Sequence, residues 1–95
     1  MKQIILATFF AIGAASAAAE EMTLTPDMVK AATATIKMHG FNCPIAKIAW
    51  KKGPDARGDV VKVHCGPDDG STNVYADFSY RLTFRSDGGI DVAEW

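Results

Sequence analysis

With 95 residues, ten Lys plus Arg against eleven Asp plus Glu and a net charge of −1, the chain is sized for one domain. It lacks the clustered positive excess of a nucleic-acid binder, so no nucleic-acid partner is expected. Two cysteines in so short a chain suffice for one covalent staple.

Met1 to Ala19 come first and read as an export signal. Lys2 is their only charge, Ile4 to Ala15 is an apolar run, and Ala17-Ala18-Ala19 forms a small-residue cleavage site ahead of Glu20-Glu21. The run falls short of the roughly twenty apolar residues that span a bilayer, and no cysteine near the cleavage site offers a place for a lipid. Residues 1–19 are therefore expected to be removed. Residues 20–95 are expected to form a single small domain, periplasmic or secreted, with no stable membrane insertion.

Thr25-Pro26-Asp27 opens the first regular element, a helix, with no strand read ahead of it. The Thr25 hydroxyl can cap free amides, Pro26 suits the first helical position, and Asp27 complements the positive end of the helix dipole. Gly40 closes the helix. Met28, Val29, Ala32, Ile36 and His39 recur at helical spacing and predict a core-facing stripe, with Lys30, Thr33 and Lys37 opposite.

Two short strands follow, Ile45 to Lys51 and Val60 to Cys65, each succeeded by a Gly-Pro-Asp turn. Val61, Val63 and Cys65 form one face of the second. In the first, Ala46, Ile48 and Trp50 make a better apolar face than Ile45, Lys47 and Ala49. A register placing Cys43 directly opposite Cys65 nevertheless turns Lys47 inward, and one extra residue near Pro44 would reconcile the two. An exported chain of this size favours pairing of Cys43 with Cys65, and closing the 21 residues between them stabilises by about 3 kcal/mol.

From Val74 to Arg85 apolar and polar residues alternate without a miss, which predicts a long strand buried on one side only. Asp87-Gly88-Gly89 supplies a turn, and Ile90 to Trp95 returns as the partner strand of a hairpin. The expected fold is α+β: one N-terminal helix packed on a three- to four-stranded antiparallel meander sheet, with one disulfide. Residue patterns do not fix the strand order.

His39, Cys43, His64 and Cys65 together hold the donor types of a zinc site. The short Cys-x-x-Cys spacing is missing, however, and adjacent strand residues such as His64 and Cys65 point to opposite faces. Ser71, Ser79 and Ser86 lack a Gly-x-Ser-x-Gly elbow, and Asp55, Asp59, Asp68 and Asp69 do not follow a calcium-loop pattern. No metal, cofactor or catalytic residue is expected, and the chain does not read as an enzyme. The assembled strand faces instead put Lys62, His64, Arg81 and Arg85 on the sheet side away from the helix. Lys47 could join them, with Tyr75 and Trp95 at the border. Mixed basic and aromatic surfaces recur at interfaces, so this face is the candidate partner-binding surface.

Phe41-Asn42-Cys43, the Gly53 to Gly58 turn, the Val61 to Cys65 strand and the Tyr80 to Trp95 hairpin resemble small exported bacterial two-cysteine proteins of unassigned function. The helix-then-hairpin order is also similar to PepSY-type domains, a resemblance that implies protease inhibition as one role. The expected function is that of an exported non-enzymatic binding module for a protein or anionic ligand of the cell envelope. The competing class is a metal-handling or thiol-redox protein using Cys43, Cys65, His39 and His64.

Overall fold

A computed structural model describes residues 20–95; the expected export signal lies outside the described residues. The elements run β1 (Glu20–Met22), α1 (Pro26–Met38), β2 (Ile45–Pro54), β3 (Gly58–Gly66), β4 (Ser79–Arg85) and β5 (Ile90–Glu94). All five strands join one antiparallel sheet in the order β1-β2-β3-β4-β5, a plain meander with α1 on one face. The fold is therefore α+β with a disulfide, as the patterns predict, but with five strands rather than three to four. The added strand is β1, three residues that pair with the outer edge of β2 through Glu20↔Lys51, Glu21↔Trp50 and Met22↔Ala49. Two glutamates and a methionine carry no readable period, so this strand exists because β2 offers an edge and Met22 an apolar group to tuck under α1.

The helix ends follow the local chemistry. Thr25 Oγ1 accepts the Met28 N–H at 3.2 Å, and Pro26 occupies the first turn beside Asp27. At the other end Gly40 adopts φ +88°, a left-handed conformation natural to glycine, and its N–H reaches the Lys37 carbonyl at 2.9 Å. Ile36 is the one fully buried residue of α1. His39 departs from the predicted stripe: it is exposed, and its Nδ1 lies 2.8 Å from the Thr35 carbonyl, where it caps the last turn.

Thr33 also departs from its expected solvent side, because its Oγ1 accepts the Ala46 N–H at 2.9 Å. The cause is a bulge in β2. Cross-strand partners run Ala46↔Cys65 and then Ile48↔His64, so Lys47 is an extra residue, and the Ala46 amide turns to the helix for its acceptor. The irregularity thus falls at Lys47 and not near Pro44. Neither alternating face of the predicted strand survives, since Ala46 and Ala49 both point inward and are buried. Cys43 stands ahead of the ladder, before the bend at Pro44, and reaches Cys65 with a Cα separation of 5.2 Å.

A second bulge at Lys52, between the pairs Lys51↔Val61 and Gly53↔Val60, increases the twist at the far end of the β2–β3 hairpin. Its tip is tied across the outer face by Arg57 to Asp91 at 3.2 Å and Arg81 to Asp55 at 4.0 Å. Val60 and Thr83 pair with each other on the sheet side away from α1 and are nonetheless only 4% and 1% exposed.

The strand predicted from Val74 begins only at Ser79. Tyr75 N–H bonds the Cys65 carbonyl at 2.9 Å, Cys65 N–H bonds the Phe78 carbonyl at 2.8 Å, and Phe78 N–H bonds the Tyr75 carbonyl at 3.1 Å. Both backbone groups of Cys65 are thereby taken by a tight turn over 75–78, and the apparent alternation there is not a strand. The core lies between α1 and the inner sheet face, centred on Ile36, Ala46, Ala49, Val63, Leu82 and the disulfide. Tyr80 joins it, its ring 5.2 Å from that of Phe41 and its hydroxyl donating to the Asn42 carbonyl.

Candidate anion-binding face

Antiparallel pairing places Glu21, Trp50, Lys62, Arg81 and Ala93 in one row across the outer face, through Glu21↔Trp50, Trp50↔Lys62, Lys62↔Arg81 and Arg81↔Ala93. The next row holds His64 opposite Ser79. Trp95 extends β5 by donating its N–H to the Ser79 carbonyl at 3.0 Å. Glu94 faces Tyr80 on the inner side, so the alternation of a strand turns the Trp95 indole outward.

Three cations gather on that indole. Arg81 Cζ lies 4.6 Å, Lys62 Nζ 4.7 Å and Lys52 Nζ 5.4 Å from the ring centroid. Each contact exchanges some hydration for attraction to the π face, worth about 0.5–1 kcal/mol at an exposed ring. The attraction offsets the mutual repulsion of like charges and holds them together. Among the described residues neither Lys52 nor Lys62 forms an ion pair, while Arg81 reaches Asp55 only at 4.0 Å.

His64 registers the same field. Its pKa is lowered from the ordinary 6.5, first by burial and then by the charges of Lys62 and Lys52. Its Nδ1 stands 3.0 Å from Ser79 Oγ. The chemical capacity of this face is to attract negative charge: it offers two unpaired ammonium groups, a guanidinium and a ring that fixes their spacing.

The predicted surface residues separate into two sets. Lys62, His64 and Arg81 come together. Arg85 emerges on the same side but is engaged by Asp87 at 3.2 Å and by Asp91 at the β4–β5 turn. Those two carboxylates raise its pKa, with the Asp87 hydrogen bond as the main cause. Tyr75 packs edge-on against Phe78 with ring centroids 5.4 Å apart, near the disulfide end. Lys47 does not join the cluster, since its side chain, 9% exposed, is engaged by Asp69 at 3.4 Å and by the Ser71 carbonyl. Lys52 is the residue that sequence reasoning missed. It follows the predicted end of the first strand, and only the second bulge brings it over the indole.

The four metal-donor residues are not brought together. Cys43 and Cys65 are joined to each other in the buried core, His39 caps α1 at the surface, and His64 lies on the opposite sheet face from Cys65. No group of three or more His, Cys, Asp or Glu side chains able to hold a metal ion occurs among the described residues. No helix among them is long and apolar enough to cross a membrane. Comparison of the chain with family models, curated proteins and solved structures gives no match.

Proposed function

We propose that the protein is an exported, non-enzymatic binding module that captures an anionic partner in the cell envelope through the Lys52, Lys62, Arg81 and Trp95 face. One observation carries the reading: three cations crowd a single indole, two of them without a carboxylate partner, in a chain whose net charge is negative. A solvated sheet face ordinarily intersperses both signs, as this one does at its other end, where Arg57 and Arg85 are balanced by Asp87 and Asp91. The leader composition of Met1 to Ala19 and the disulfide, a bond that persists in oxidising compartments, support export.

Retention on a sulfated polysaccharide column tests the proposal, with salt as eluent. The native protein is retained at low ionic strength, and Lys62→Glu with Arg81→Glu abolishes retention. Lys30→Glu with Lys37→Glu, on α1, changes the net charge equally and leaves retention in place. Equal loss in both variants, or none in either, refutes the assignment of the face. Each neutralised cation about 4 Å from a unit negative charge in water loses about 1 kcal/mol, or roughly fivefold in affinity.

A further inference from the structure

α1 packs chiefly on β2, so it roofs only one side of the inner sheet face. Between its first turns and β4 lies a half-open cleft of about 310 Å³. Val61, Val63 and Leu82 form the floor, Met28 and Ala31 the helix side, and Phe84 the far lip. Thr35 is the only polar residue among the described residues lining it. Phe84 is 42% exposed there, an aromatic ring left wet on the apolar side of the sheet. At the end formed by Met22, Val61 and Phe84 the cleft adjoins a second hollow, bordered by Glu20, Lys51 and Asp59. An apolar trough therefore runs into a polar mouth.

We infer that this cleft binds the alkyl chain of a free, single-chain amphiphile, with its polar head at Glu20, Lys51 and Asp59. The size and the lining of the cleft point to its occupant. Its volume lies at the lower end of small-molecule sites, which span about 300–1,000 Å³ and are walled by apolar side chains. A single hydrocarbon chain matches both the small volume and the near absence of polar groups. Two carboxylates and one ammonium at the mouth offer hydrogen-bond acceptors and donors together, which suits a hydroxyl-rich head that both donates and accepts. The site is independent of the outer face, from which the whole thickness of the sheet separates it.

Calorimetric titration of the disulfide-bonded protein with alkyl glucosides, hexyl to dodecyl and below their micelle thresholds, tests the inference. Affinity rises about fourfold per added methylene, the equivalent of 0.8 kcal/mol, and levels once the chain outgrows the cleft. Ala31→Phe, which fills the helix side of the trough, weakens dodecyl glucoside at least tenfold. Ala31→Leu gives an intermediate loss and serves if the larger side chain prevents folding, which far-ultraviolet circular dichroism reports. Binding that does not depend on chain length, or that Ala31→Phe and Ala31→Leu leave unchanged, overturns the assignment. So does a dimer by sedimentation that takes up no glucoside, since a second copy then covers the cleft. Sedimentation with phosphatidylcholine vesicles in the absence of glucoside binding overturns it in favour of a membrane surface.

Discussion

Replacing both cysteines, Cys43→Ala with Cys65→Ala, removes the one covalent link across the domain and should cost most of its stability. The bond spans a sequence separation of 22 residues, and the loop-entropy relation gives about 11 cal/mol/K, or about 3 kcal/mol at 25 °C. Both side chains are also buried, 2% and 0% exposed, so each truncation deletes a packed sulfur from the core and adds about 1 kcal/mol. A domain this small sits near the lower end of the usual 5–15 kcal/mol range. The expected loss of about 3–5 kcal/mol therefore leaves the variant close to its unfolding midpoint at room temperature. At about 4–8 °C per kcal/mol, Tm falls by at least about 12 °C. Urea unfolding followed by circular dichroism measures the difference, and an excess of dithiothreitol added to the native protein, which keeps both sulfurs in the core, should reproduce the loop-entropy part of about 3 kcal/mol. A loss below about 1 kcal/mol would refute the reasoning, because the denatured chain would then be no freer without the bond. If the outer face and not the sulfur chemistry carries function, the reduced protein, kept cold and folded, retains its anion capture.

Thr83 offers a second check: its hydroxyl is buried with no hydrogen-bond partner among the described residues, so Thr83→Val should stabilise by about 1–2 kcal/mol in the same urea assay. A destabilised valine variant would show that the hydroxyl has a partner. A third concerns pH. The folded pKa of His64 lies below its ordinary 6.5, so the unfolded chain binds the proton more readily. Stability contributed by neutral His64 is complete above about pH 6.5 and is lost as pH falls through the lower folded value, a loss that His64→Gln removes. Nuclear magnetic resonance of the imidazole tests this directly: titration at or above 6.5 sinks it, and an anion held by Lys52 and Lys62 should move the midpoint upward.

Charge placement by alternation worked where pairing is regular. Lys62, His64 and Arg81 reach one face because β3 and β4 pair without interruption from Gly58↔Arg85 to His64↔Ser79. It failed wherever a residue was inserted or withdrawn. Lys47 and Lys52 both occupy bulges in β2, and one is tied to Asp69 and Ser71 while the other joins the cations on Trp95. Val74 to Phe78 match a strand pattern residue by residue, yet Cys65 spends its backbone groups on a turn there.

Local chemistry by itself determined the helix and both its ends, the turn after Gly66, the final hairpin and the pairing of two cysteines in a chain this short, whereas Gly53 and Pro54, expected in a turn, continue β2. Each depends on neighbours a few residues away, or on a count, and needs no knowledge of the whole. Tertiary structure alone decided the fifth strand, the two bulges, the company kept by Trp95 and the cleft beneath Phe84. These depend on which amide finds which acceptor across the fold, as when Thr33 receives the Ala46 N–H, and a free edge, an extra residue or an unroofed face leaves no periodic trace in the chain.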